Sequence, residues 1–262
     1  MEKSLFLKDY LASRLISQNK SIDGYGRIYY KANEDLINPC LDVDFQNKDV
    51  LAVLSSADHV LTARFLDANN VDAFDINRIT IYYFYLRIWT IKYRNTLYPK
   101  ILNGDKNWLG SLLSQITPTN SAEKNALDFF KKHLKDNTNL INLFYDVDVQ
   151  PKGQTLYTSP SDLEDCLYPD LNFYQIDLFK KFHLHDTYDI IMISNILEWA
   201  HNDASKLTIA AENLGTILRS GGSVLCSSLI HRSLESLAKE KEIFSDLFYF
   251  DGNPQSYQYI RK

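Results

Sequence analysis

The segment Asp49-Val50-Leu51-Ala52-Val53-Leu54 runs without a break into Ser55-Ser56-Ala57-Asp58, and His59 to Asp67 then takes up a helical period. An apolar run of this length suits a strand buried on both faces, and such strands belong to parallel sheets covered by helices. The small-residue turn carries the Ser-x-x-Asp spacing of a helix start. Val71 to Ile76 alternates and contains an acid near its end, and Asn77 to Asn95 is a long apolar helical stretch. These pieces make a β-α-β unit, so the chain is expected to be an α/β protein on a parallel sheet.

From Leu97 to Pro169 the pattern is irregular, with Pro99, Pro118, Pro151 and Pro160 and one amphipathic helix at Ala122 to Lys135. It reads as a helical insertion at about 97–169. Alternation resumes with strands at 171–178, 188–194 and 222–228 and a helix at 204–218. A helix at 233–243 leads to two short strands, 247–250 and 256–260, joined by the turn Asp251-Gly252-Asn253-Pro254 as an antiparallel hairpin. Leu7, Leu11 and Leu15 mark an opening amphipathic helix, so residues 1–48 read as an N-terminal helical cap on a domain spanning 49–262.

Several function classes are disfavoured. The net charge of −5 and the shortness of clusters such as Lys131-Lys132 argue against a nucleic-acid partner. Three widely spaced cysteines form neither a disulfide framework nor a zinc knuckle, which suits a cytoplasmic location. His183-x-His185 lacks a suitably spaced third ligand, so no metal is expected. There is no Gly-x-Ser-x-Gly elbow and no P-loop. Ile79 to Tyr93 carries Arg87 and Lys92 and is too short for an integral membrane segment; its Tyr82, Tyr83, Tyr85 and Trp89 cover more than one face, which points to burial under the insertion.

Sheets of this kind bind ligands beyond the carboxyl ends of their strands, at the switch point of strand order. The turn Ser55, Ser56, Ala57 lets a ligand approach the backbone, and the helix that follows offers N–H groups to an anion. Asp75 lies about twenty residues after Ser55, where an acid accepts ribose hydroxyls; the alternative is that it caps the helix near Asn77. An adenosine ligand follows. Without the three glycines of a dinucleotide site, S-adenosylmethionine is the better candidate, because an amino-acid carboxylate stands where a pyrophosphate would. Asp177, followed by Leu178, ends the third strand and can receive the adenine amino group or be a solvated loop acid. Ser194-Asn195 ends the fourth strand at the same cleft, with a simple strand-to-helix cap as its rival.

Four segments resemble a known family. Tyr29-Tyr30-Lys31-Ala32-Asn33-Glu34-Asp35 is similar to an aromatic-rich segment ending in Trp-Glu-Asp, with Asn33 in place of Trp. Val53 to His59 resembles a Ser-Gly-Gly-Asp-Asn turn, Asp75-Ile76-Asn77 an Asp-x-Asn before a Leu-rich helix, and Ile193-Ser194-Asn195-Ile196-Leu197-Glu198-Trp199 the segment after the fourth strand. The family is that of the S-adenosylmethionine-dependent 3-amino-3-carboxypropyl transferases related to the betaine-lipid enzyme that modifies diacylglycerol. The resemblance implies a Rossmann-like fold of the class I methyltransferase type, with a mostly parallel seven-stranded sheet and a C-terminal antiparallel hairpin. It also implies transfer of the aminocarboxypropyl group to an amine or hydroxyl of a small molecule, a lipid among the candidates, or its cyclisation, with release of methylthioadenosine. Ser55, Ser56, Ala57, Asp58, Asp75, Ile76, Asn77, Asp177, Leu178, Ser194 and Asn195 would then hold the cofactor, and Glu34 with Tyr30 would position or deprotonate the nucleophile. A class I methyltransferase and a non-catalytic adenosine-binding protein are the alternatives.

Overall fold

The computed structural model describes residues 36–93, 106–136, 156, 160–200, 203–227, 234–253 and 256–262. The strands are β1 (Asp49–Val53), β2 (Asn70–Asp75), β3 (Phe173–Gln175), β4 (Tyr188–Ser194), β5 (Leu218–Ser227), β6 (Phe248–Asn253) and β7 (Ser256–Arg261). The longer helices are α1 (Asp58–Phe65), α2 (Ile79–Lys92), α3 (Lys106–Ser114), α4 (Ser121–Lys135), α5 (Ala204–Ile217) and α6 (Leu234–Phe244). The seven strands form one sheet in the order β3-β2-β1-β4-β5-β7-β6. Pairing is parallel from β3 through β5, whereas β7 runs antiparallel to both β5 and β6. This is the expected mixed α/β, Rossmann-like sheet with a terminal hairpin, and strand order reverses between β1 and β4.

The two-residue period of each strand sends alternate side chains to opposite faces. Val50, Ala52, Ile190, Met192 and Leu225 join the core made with α1 to α4, while Leu51, Val53, Ile191, Ile193 and Val224 join the core made with α5, α6 and the hairpin. In that second core Glu240 of α6 is fully buried, and its Oε1 accepts both the Tyr257 hydroxyl at 2.9 Å and the Tyr259 hydroxyl at 2.8 Å. A buried carboxylate is retained there because two phenols satisfy it, and the hairpin is thereby tied to the helix that precedes it.

α2 is buried on all sides, as its scattered aromatics imply. The insertion helix α4 lies against it, with the Tyr82 and Phe129 rings 5.1 Å apart. Trp89 Nε1 donates to Glu123 Oε1 at 2.7 Å, and the other oxygen of Glu123 accepts from Thr119 N at 2.6 Å and Thr119 Oγ1 at 2.9 Å. Asn120 Oδ1 returns a cap to Glu123 N at 2.8 Å, so one buried acid both starts α4 and fastens it to α2. No helix among the described residues is long and apolar enough to cross a membrane.

Several boundaries differ from the expected ones. α3 was hidden in the irregular stretch; Trp108, Leu109, Leu112 and Leu113 form its buried stripe, and the helix is too short for its period to stand out. β5 starts at Leu218 rather than 222, because Arg219 donates to Asp189 at 2.7 Å and Asp49 at 2.8 Å and so draws the strand alongside β4 and β1. Gly222 lies so close to β4 that a Cβ there would meet the Asp189 carbonyl at 2.7 Å. β3 keeps only three residues, and β6 runs on to Asn253 within the expected turn. The expected helix near residues 4–19 lies outside the described residues.

α2 also reaches the β1–α1 turn. Arg87 Nη1 donates to Asp58 Oδ1 at 2.6 Å and to the Ser56 carbonyl at 2.7 Å, and all three residues are buried. Removing one partner of such a pair strands the other charge, so Arg87→Met should cost about 3 to 5 kcal/mol in urea denaturation. The double variant with Asp58→Asn should recover part of that loss; no recovery would mean that the turn does not depend on charge pairing.

Candidate functional site

The candidate site lies beyond the carboxyl ends of β1, β2 and β4, where the strand order reverses and sheets of this kind bind their ligands. β4 ends in Ser194 with left-handed backbone at φ 56°, and Ser55, two residues beyond the end of β1, is left-handed at φ 39°, with Ala57 following at φ 72°. Residues with a Cβ rarely take these angles, and such conformations gather at ligand clamps and active sites. At the end of β4 the pairing with β5 also shifts register between Met192 and Ser194. The end of β4 at the switch point therefore departs from regular pairing, whereas the pairing of β1 is regular to its end.

Asp75 is the last residue of β2. Its Oδ2 accepts the Ser55 N–H at 2.8 Å and its Oδ1 the Asn77 N–H at 2.8 Å. One carboxylate thus joins the β1 turn to the loop before α2, and Asn77 Oδ1 in turn accepts from Ile79 N at 3.3 Å. The helix-capping alternative is realised here, and with the Thr80 side chain and the Ile76 N–H also directed at it the carboxylate's room for about four hydrogen bonds is largely used within the protein. Its surroundings are demanding: burial pushes the carboxyl up to about 6, against the backbone N–H groups of Asn77 and Ser55, which pull it down. Asp75 as a whole retains some exposed surface even though its carboxylate is enclosed.

The other cofactor candidates fall into two groups. Ser56 and Asp58 are fully buried and serve the turn from below: Ser56 Oγ donates to Asp58 Oδ2 at 2.8 Å, and Asp58 pairs with Arg87. Ala57 is likewise buried, which leaves Ser55 as the part-exposed residue of this turn. Ile76, in contrast, is 61% exposed beside Asp75 and offers an apolar face at the crevice. Its carbonyl accepts from Gln175 Nε2 at 3.2 Å, and the Asp75 carbonyl accepts from Ile176 N at 3.1 Å, which joins the loops after β2 and β3.

Asp177 lies in the second of those loops. Its Oδ1 accepts from Phe179 N at 3.1 Å and its Oδ2 pairs with Lys180 at 3.2 Å, while Leu178 is buried in the core. Ser194 and Asn195 are buried at the end of β4, with Ser194 Oγ donating to Asn195 Oδ1 at 3.3 Å. Trp199, in the 3-10 segment that follows, is 59% exposed. Glu34 and Tyr30 lie outside the described residues. Among the described residues no cluster of His, Cys, Asp and Glu is arranged to hold a metal.

Two residues that matter here escaped the sequence reading. Arg87 anchors the turn, and its only signal is a cation within an apolar helix. Asn213 of α5 donates both amide hydrogens into the loop after β3, to the Leu178 carbonyl at 3.0 Å and the Lys180 carbonyl at 2.9 Å. Its signal is a lone amide on an apolar helix face.

No protein-family model and no curated protein matches the chain. Among solved structures it is similar to the N-methyltransferase NodS from Bradyrhizobium japonicum WM9 in complex with S-adenosyl-l-homocysteine, at 9% identity over 98% of this chain and 87% of that one, with a TM-score of 0.36. It is similar to the PH0226 protein from Pyrococcus horikoshii OT3, at 10% identity over 86% and 88% of the two chains, TM-score 0.42. A ribosomal protein L11 methylase from Lactobacillus delbrueckii subsp. bulgaricus gives 12% identity over 83% and 71%, TM-score 0.35. None of these three is described as an aminocarboxypropyl transferase, and the resemblance to that family gains no support from them. The fold rests on the sheet order itself.

Left-handed backbone costs a residue with a Cβ roughly 1 to 2 kcal/mol, and glycine avoids most of it. Ser55→Gly keeps the backbone N–H that Asp75 accepts, so it should raise stability by about 1 kcal/mol in thermal or urea unfolding. A destabilised Ser55→Gly variant would show that the serine hydroxyl carries a contact worth more than the backbone relief.

Proposed function

We propose that this chain is an S-adenosylmethionine-dependent transferase whose cofactor lies across the carboxyl ends of β1, β2 and β4. The observation that carries the proposal is the sheet order β3-β2-β1-β4-β5-β7-β6 with β7 reversed, the arrangement of class I methyltransferase-like enzymes, with an enclosed acid at the end of β2. The residues present suit the cofactor. Asp75 is an acid at the end of β2 whose carboxylate holds the Ser55 and Asn77 N–H groups in place, Ile76 offers an apolar face for a base, and the β1 turn presents backbone with no bulky side chain in the way.

When bound, a sulfonium supplies an activated carbon: a nucleophile forms its bond to that carbon as the carbon–sulfur bond breaks, and the electron pair stays on sulfur as a neutral thioether. The chain's part is to bind and orient. Asp75 accepts the ribose hydroxyls, the Ser55–Ala57 turn and the start of α1 receive the amino-acid portion, and Asp177 receives the base amino group. Glu34, with Tyr30, is the candidate for taking the proton of an amine or hydroxyl acceptor. The same cofactor site serves methyl transfer and 3-amino-3-carboxypropyl transfer, which differ in the carbon turned toward the acceptor. The sequence resemblance favours the second; the sheet is common to both. A lipid acceptor rests on that resemblance alone.

Mass spectrometry of S-adenosylmethionine incubated with the protein and a cell extract separates these chemistries. Methylthioadenosine formed faster than by spontaneous breakdown is expected for aminocarboxypropyl transfer, and S-adenosylhomocysteine for methyl transfer. Absence of both, with cofactor bound, would leave a non-catalytic adenosine-binding protein.

Asp75 makes a second test through pH. Its ionised form accepts hydroxyl hydrogens and its protonated form loses that capacity, so cofactor affinity should be complete above its value of about 6. As pH falls through that value, the dissociation constant for S-adenosylhomocysteine should rise by up to about tenfold per unit. Asp75→Asn should bind more weakly at about pH 7.5, by roughly 1.5 to 3 kcal/mol, and lose the pH dependence. A flat wild-type profile in calorimetry would remove Asp75 from the cofactor site.

A further inference from the structure

We propose that Asn213 is a positioning residue that fixes the loop after β3 in the shape from which Asp177 recognises the base of the cofactor. The inference rests on the cofactor reading above and extends it to a residue on a different element. Asn213 is buried on the sheet-facing side of α5, among Ala210, Leu214 and Ile217, where an apolar residue would ordinarily be cheaper. Its amide has two donor hydrogens, and both are used on one loop, at the Leu178 and Lys180 carbonyls.

Those two carbonyls bracket a turn that Asp177 begins. Lys180 N donates to the Asp177 carbonyl at 3.0 Å, and Phe179 N donates to Asp177 Oδ1 at 3.1 Å. The Asp177 side chain is therefore oriented by the turn that Asn213 holds from the helix side, while buried Leu178 pins the same turn to the core. The loop stands next to the exposed Ile76, because Gln175 and Ile176 join it to the end of β2. Without the amide, the backbone at 178 and 180 is left with two undirected carbonyls, and the Asp177 carboxylate loses its fixed direction.

The test compares binding of S-adenosylhomocysteine with its inosyl analogue, which sets a carbonyl oxygen against the carboxylate in place of an amino group. Wild type should prefer the adenosyl form by about tenfold or more, the ratio expected from one hydrogen bond to a charged acceptor. Asn213→Ala should reduce that preference to about twofold, and Asn213→Ser, which keeps one donor, should fall between. The ratio between S-adenosylhomocysteine and its 2′-deoxy analogue reports on Asp75 and should stay at the wild-type value in both variants. Amide exchange at Phe179 and Lys180 should quicken in Asn213→Ser, a readout independent of binding. Full adenosyl preference in folded Asn213→Ala or Asn213→Ser would overturn the role of Asn213. Equal binding of the two bases by wild type, or an unchanged preference in Asp177→Ala, would instead overturn base recognition by Asp177, and the positioning role with it.

Discussion

The turn between β1 and α1 is held from two directions, and the site exists because both hold at once. From the side of β2, the Asp75 carboxylate takes the Ser55 N–H; from beneath, Arg87 takes the Ser56 carbonyl and pairs with Asp58. The first interaction is partly open to a ligand and the second is sealed. A carboxylate enclosed by protein would sooner be protonated, and the N–H groups of Ser55 and Asn77 offset part of that cost. The buried ion pair has no such exposure, and its worth lies in geometry: it leaves the turn one arrangement, at the expense of desolvating both charges.

The insertion finds a structural purpose in the same interaction. A helix as apolar as α2 must be covered on every side, and the sheet covers only one. The helices of the insertion cover the rest, and Glu123 links the start of α4 to Trp89, one turn or less from Arg87 along α2. Rigidity therefore passes from the insertion through α2 to the β1 turn. On the other side of α1, Arg64 donates to the Tyr168 carbonyl at 2.7 Å and the Asp170 carbonyl at 2.8 Å, so the return of the insertion to β3 is fastened to the helix that follows the turn.

What the sequence made legible was whatever depends on local pattern. The run Val50 to Leu54 declared β1 because both sheet faces are buried, and the length of Tyr188–Ser194 declared β4 for the same reason. β3 is shorter than the apolar run, since only Phe173–Gln175 pair with β2 as a strand; Ile176 adds one hydrogen bond to Asp75 and Leu178 turns into the core. α3 was missed because nine residues give little more than two turns of period. The spacing of about twenty residues between Ser55 and Asp75 made it legible that the two strand ends lie side by side, and Asp75 accepts the Ser55 N–H. Arg87 and Asn213 were not legible, because each acts on a carbonyl far away in sequence, and no spacing rule encodes such pairs. Ser56 and Asp58 belong to the small-residue turn and to the segment that carries the resemblance, but their side chains are buried, a property that no spacing in the turn encodes.

The absence of glycine from this turn has a physical explanation that differs between its two left-handed residues. At Ala57 the backbone conformation costs roughly 1 to 2 kcal/mol. Its methyl, however, is completely buried in the core shared with Val60 and Leu61, and a buried methyl recovers about 0.8 kcal/mol. The buried methyl thus offsets a large part of the strain at Ala57. Ser55 has no comparable recovery, since it is only part-buried, and its strain is maintained by the Asp75 hydrogen bond to its own N–H. The turn therefore keeps side chains where they serve the core and tolerates strain where the crevice begins. A pyrophosphate, which needs the backbone bare, would gain little from such a turn; a smaller amino-acid carboxylate requires less of it.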